Sequence, residues 1–188
     1  MVGHQALDKI KQVGINNMCL NANTGDCKWY PVYTQARAEK KAFDALLKKG
    51  IEAYLPLQRQ LKQWSDRKKW VEEPLIKSYL FVHINNRQQA DVLMTKGIAR
   101  FIYFSNQVAF MADRQIDELK LLTASPYELE VTEHHLQPGE QVMIKAGPLK
   151  GLKGEMIEYR TQKQLLVRLE SMGCSIIVNV SAALINRF

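Results

Sequence analysis

Three consecutive cations, Arg67, Lys68 and Lys69, stand between Trp64 and Trp70 in a stretch whose flanks read as strands. Cations carried on the tip of a stiff ribbon reach phosphate oxygens, and this is the chemistry the cluster offers. Lys48 and Lys49, at the end of an amphipathic stretch, offer the same from a helix end. The remaining reactive side chains form no constellation. The three cysteines, Cys19, Cys27 and Cys174, are odd in number and lack the close Cys/His pairs with which zinc collects four ligands, so they read as reduced thiols. His134 and His135 are adjacent and read as exposed linker residues. With no Gly-x-Ser-x-Gly, no phosphate loop and no Cys/His pair with an orienting group, neither an enzyme, a metal nor a cofactor is expected.

Charge points to a polyanionic partner. The 188 residues hold 26 Lys and Arg against 19 Asp and Glu, a formal +7, which favours nucleic acid through counterion release, or anionic lipid by attraction. The distribution is uneven: residues 1–27 come to zero, 28–122 to +7, 123–136 to −3 and 137–188 to +3. No run approaches the roughly 18 apolar residues of a membrane span, and no basic region leads into an apolar one at the N-terminus. A cytoplasmic protein with no membrane partner is therefore expected.

The elements that would position these residues follow from the pattern. At 46% hydrophobic the chain buries a core, and its length allows one domain or two small ones. The acidic strip decides for two. Residues 123–136 hold Ser125-Pro126, Glu128, Glu130 and Glu133 with no cation, and Pro138-Gly139 follows, a linker composition. The plan is then a poorly ordered extension over 1–27, a domain over 28–122, the linker 123–136, and a second domain over 137–188. In the first domain an aromatic strand from Trp29 to Thr34 precedes a helix carrying Phe43, Leu46 and Leu47 and closed by Gly50. A hairpin with the basic tip, a central strand Tyr79 to Ile84, a helix from Arg87 to Lys96, a strand pair around Phe101 and Val108, and a helix capped by Asp113 complete the order β-α-β-β-β-α-β-α. That order implies an α+β layer, an antiparallel sheet with helices packed on it. Beyond Gly139 four short strands around Val142, Glu155, Leu165 and Ile176 imply a small all-β barrel.

The most specific stretch runs from Val142 to Met156, with Gly147, Pro148, Leu149, Gly151, Leu152 and Gly154 at its centre. It resembles the KOW motif of the SH3-like C-terminal barrel in NusG-family transcription factors. Trp29-Tyr30, the run Glu73-Pro74-Leu75-Ile76-Lys77-Ser78-Tyr79-Leu80-Phe81-Val82 and the run Thr95 to Phe101 resemble the family's N-terminal NGN domain, particularly its specialised RfaH-like or UpxY-like members. The resemblance extends from Lys28 to the C-terminus. It departs at Ile76 and Lys77, where the family has an aromatic residue and a proline.

The resemblance implies a transcription elongation factor that seats on the clamp helices of RNA polymerase and promotes processive elongation or antitermination, and the specialised likeness implies action on selected operons. The polymerase-binding positions it carries over are Pro31, Tyr33, Ile76, Tyr79 and Phe101, with Phe81 beside them. Strand alternation separates Ile76 from Tyr79 unless the strand begins after a loop at Ser78. By the same analogy Lys48, Lys49, Arg67, Lys68 and Lys69 face DNA near the transcription bubble. The barrel then contacts a ribosomal protein or a termination factor, with Met172 as its exposed contact. A rival reading starts from Lys77 to Ile84, which approximates an RNA-recognition motif but has Ser78 and Leu80 at its two glycine positions. It implies an RNA-binding or ribosome-associated protein with no polymerase role.

Overall fold

The computed structural model describes residues 27–63, 66–104, 106–134, 136–159 and 162–187. The expected disordered extension, apart from Cys27, lies outside the described residues, as do Cys19, Trp64 and His135. Strand β1 (Lys28–Thr34) pairs antiparallel with β5 (Tyr79–Ile84) on one side and β6 (Ile98–Phe101) on the other. With β2 (Glu52–Tyr54) they form a sheet of order β2-β5-β1-β6. Pro31 fits in a central strand because its absent N–H falls on the side where β6 has already ended at Phe101.

The register gives each face of this sheet its own core. Tyr30, Val32, Leu80, Val82 and Phe101 lie on one face, clustered with Ala42 and Leu46 of α1 (Glu39–Lys48) and Val92 of α2 (Gln89–Leu93). Trp29 and Phe81 lie on the other, clustered with Ile116, Leu119 and Leu122 of α3 (Asp113–Ala124). Asp113 is the first residue of α3 and not its cap; the Ala112 N–H is instead taken by the Gln115 side chain at 3.2 Å. The expected Arg87–Lys96 helix is a single 3-10 turn at Asn86–Gln88 followed by the short α2, and Asn85 caps it through the N–H groups of Arg87 and Gln88.

The basic hairpin is a separate two-stranded ribbon, β3 (Leu57–Gln63) with β4 (Lys68–Pro74), and β7 (Tyr103–Phe104) with β8 (Gln107–Val108) forms a second. The C-terminal half is one antiparallel sheet of order β14-β10-β11-β12-β13-β9. Its strands are β9 (Leu129–Thr132), β10 (Glu140–Ile144), β11 (Lys153–Tyr159), β12 (Gln162–Leu169), β13 (Cys174–Val178) and β14 (Ile185–Arg187).

Strand β9 lies inside the segment read as a linker. α3 continues to Ala124, and Leu129 to Thr132 pair with Val178 to Ser175, closing what would otherwise be the open edge of β13. Leu136 then packs against the cluster of Ile157, Leu166 and Ile177 on the outer side of the sheet. It is held there by Arg168, which donates to the Leu136 carbonyl at 3.0 Å and makes a two-pronged ion pair with Glu155 at 2.8 and 2.9 Å. The Arg168 guanidinium, hydrogen-bonded to Glu155, lowers that carboxyl from its ordinary range. What remains as a connection is the short stretch 125–128.

One cysteine, Cys27, differs from the expected reduced thiols, and Cys174 agrees with them. Cys27 is disulfide-bonded, whereas Cys174 is free and buried, its thiol pushed up to about 11 by burial and by Glu133. The second core does not stop at the domain boundary: Trp29, Ile76, Phe81 and the α3 leucines belong to the same cluster as Val142, Leu149, Leu165 and Ile176.

Candidate functional site

Five of the six aromatic and apolar positions singled out above gather on the α3 side of the sheet. Tyr33 is directly opposite Tyr79, and Pro31 directly opposite Phe81, so the four share one face. The Tyr33 and Tyr79 rings meet edge to face, centroids 5.2 Å apart, and the Arg100 guanidinium lies over the Tyr33 ring at 5.5 Å. Ile76 joins them because β5 starts only at Tyr79. Ser78 sits in the left-handed region at φ 62, its N–H held by the buried Glu39 carboxylate at 2.9 Å, and this loop frees Ile76 from the strand's alternation. Ile76 and Phe81 are buried in the shared core, while the two tyrosines are half-buried.

Phe101 does not join this face. Its register partner is Val32, so it turns to the α1 side, 2% exposed, with its ring edge-on to Tyr30 at 6.1 Å. The RNA-recognition reading meets the same geometry: an open stacking sheet needs exposed aromatics, and Phe81 is 0% exposed and clustered with α3.

Tyr79 lies at the seam between the domains. Burial raises its hydroxyl above the ordinary tyrosine range, and Cys174, Tyr33 and Glu133 add to the rise while Arg100 opposes it. Cys174 and Glu133 come from the C-terminal sheet and the segment after β9. The Ser171 hydroxyl also donates across to the Phe110 carbonyl at 3.0 Å. Met172, expected as an exposed contact, is half-buried and packs against the shared core.

The cations divide. Lys49 donates to the Asp91 carbonyl at 2.9 Å and to the Thr95 hydroxyl at 2.8 Å, tying α1 to the end of α2, whereas Lys48 is exposed. Arg67, Lys68 and Lys69 are exposed at the hairpin tip, and none makes an ion pair with a described residue. In the C-terminal sheet the glycine-rich loop is a closed turn. The Gly151 N–H donates to the Ile144 carbonyl at 2.8 Å and the Ile144 N–H to the Leu152 carbonyl at 2.9 Å, which drives Leu149 and Leu152 into the core while Gly147 and Pro148 stay exposed. Gly151 has φ 89, and a Cβ on Gly154 would stand 2.6 Å from the Leu166 carbonyl oxygen.

Some of the site escaped the sequence reading. Trp29 stacks on His83 at 4.9 Å, His83 bonds Glu52 at 2.8 Å, and the Tyr54 hydroxyl, pushed up to about 12 by burial, bonds Thr123 of α3 at 2.8 Å. These contacts join residues far apart in sequence, brought together by strand register at Trp29, Glu52 and His83 and by the approach of α3 to β2 at Tyr54. Among the described residues no group of three or more His, Cys, Asp or Glu is placed to hold a metal ion, and no helix is long and apolar enough to cross a membrane.

A family model described as NusG, transcription termination factor nusG, matches residues 27–120. Among solved structures, one of domain interaction in Thermotoga maritima NusG is similar at a TM-score of 0.52 and 19% identity, covering 87% of this chain and 98% of that one. The MjSpt4:Spt5 complex in its conformation A is similar at a TM-score of 0.29 and 15% identity, covering 85% of this chain and 97% of that one.

Proposed function

The chain belongs to the NusG family of transcription factors, and from that membership together with the Tyr33–Tyr79 face we propose that it is an elongation factor that docks on the clamp helices of RNA polymerase and promotes processive elongation or antitermination on selected operons. The observation that carries this reading is the gathering of Pro31, Tyr33, Ile76, Tyr79 and Phe81 on one side of the sheet, with only the two tyrosines still reachable. A half-buried aromatic pair is the kind of anchor on which interface energy concentrates. The mechanism needs no cofactor: a ligand that binds only the closed clamp shifts the opening equilibrium by its differential affinity.

In this reading the exposed tip cations of the hairpin contact DNA near the transcription bubble, and the C-terminal sheet recruits a second protein, a ribosomal protein or a termination factor. The Thermotoga maritima structure is described as one of domain interaction. Here the two domains share a core beside Tyr79, so the C-terminal sheet and the clamp compete for that tyrosine. Affinity purification of the tagged protein tests the reading: core RNA polymerase should be the main co-purifying complex. Ribosomes in its place would overturn it in favour of an RNA-binding role.

A further inference from the structure

The hairpin has two different faces, and the tip cations account for neither. Residues directly opposite each other in an antiparallel pair share a face, so Arg59 with Glu72, Leu61 with Trp70 and Gln63 with Lys68 line one side, while Gln60 with Val71 and Lys62 with Lys69 line the other. On the second side Lys62 is engaged by Glu73. On the first, Trp70 is 54% and Leu61 50% exposed, in a sheet of two strands. The Arg59 guanidinium stands over the Trp70 ring at 5.1 Å. In register, Arg59 lies on the root side of Trp70 and Lys68 on the tip side, both on this face.

We infer that this face of the hairpin is a stacking platform for an unpaired base of single-stranded nucleic acid, with Trp70 as the stacking surface and Lys68 and Arg67 taking the adjoining phosphates. Leu61 supplies an apolar floor. Arg59 covers one face of the indole and leaves the other for the base, an arrangement in which the cation and the base share one ring. Charge complementarity selects a polyanion over an apolar protein surface, since Arg59, Lys62, Arg67, Lys68 and Lys69 outnumber Asp66, Glu72 and Glu73 along the ribbon, and the three tip cations have no ion-pair partner among the described residues. The inference rests on the reading of the hairpin as a nucleic-acid contact and adds that it reads strand state: duplex offers phosphates only, a single strand offers phosphates and a free base.

The test uses the full chain and three fluorescently labelled probes of equal length at one salt concentration: a thymidine oligonucleotide, an abasic phosphodiester oligomer and a DNA duplex. Trp70→Ala should weaken the thymidine probe by roughly fivefold to a hundredfold and leave abasic and duplex binding within about twofold. Trp70→Phe should restore most of the loss. A thermal melt checks that each variant folds, which the exposure of Trp70 favours. Equal wild-type affinity for the thymidine and abasic probes, or a Trp70→Ala variant that binds thymidine as the wild type does, would overturn the platform. If Trp70→Ala instead weakens polymerase capture with thymidine binding intact, the face is a protein contact and the inference is wrong. The underlying reading has its own control: Arg67, Lys68 and Lys69 all replaced by Ala should weaken every probe, and if none weakens, both the platform and the hairpin's contact with nucleic acid fall together.

Discussion

The β10–β11 connection and the β3–β4 hairpin are both stretches whose composition drew attention in the sequence, yet they treat apolar side chains in opposite ways. In the first, Leu149 and Leu152 are each 1% exposed and the surrounding N–H groups are consumed by the turn. In the second, Leu61 and Trp70 stand half in water beside cations that have no ion-pair partner among the described residues. The loop is fully accounted for by the fold it closes. The hairpin is not, because a two-stranded ribbon with an exposed Trp–Leu pair gains little stability from that pair. Residues that packing explains belong to architecture, and those it leaves unexplained are where binding is to be sought.

The sharpest way to break this comparison is truncation. Leu149→Ala removes a fully buried side chain and should destabilise the protein by about 2–5 kcal/mol in urea melts, whereas Leu61→Ala should stay within about 0.5 kcal/mol. Similar losses at the two sites would mean that the hairpin is as structural as the loop.

A smaller effect sharpens the account of the seam. The Cys174 thiol ionises near 9.0 in the unfolded chain but about 11 when folded, so between these values the unfolded state holds fewer protons and stability falls as pH rises. Below pH 9 the contribution is fully present. The two-unit difference bounds the loss at about 2.7 kcal/mol, and Cys174→Ala should remove it from the pH profile. Tyr54, raised from 10.0 to about 12, adds a separate decline above pH 10 that survives in that variant. A wild-type profile flat from pH 9 to 11 would show that Cys174 is not sealed from water at the domain seam.

Much of this was legible in the sequence where signals were local. The aromatic β1, the helix closed by Gly50, the basic hairpin and the glycine-rich turn all follow from spacing within about fifteen residues. The family of the chain was legible from the same stretches. What escaped needed partners far away. Phe101 was grouped with Tyr79 because residue type does not reveal register, and pairing with Val32 turns it to the other face. Lys49 looked free because its acceptors lie more than forty residues away, at Asp91 and Thr95. Strand β9 was hidden in an acidic strip: Leu129 and Val131 alternate with Glu130 and Thr132, a period of two over only four residues, and the edge they cover belongs to β13. The loop at Ser78 was the one condition on which Ile76 and Tyr79 share a face, and the left-handed Ser78 meets it.

The claim on which the rest depends is that polymerase docking and nucleic-acid contact use separate surfaces, one apolar and one ionic. Binding of Tyr79→Ala and of the triple Arg67, Lys68, Lys69→Ala variant to core polymerase and to duplex DNA, measured across a range of salt, tests it directly. Tyr79→Ala, once a thermal melt shows it folded, should lose about 2 kcal/mol of polymerase affinity with DNA binding unchanged. The triple variant should keep polymerase binding, while the slope of its DNA affinity against salt falls by about 2 to 3. Equal loss of both activities in a folded Tyr79→Ala protein would contradict the two-surface account.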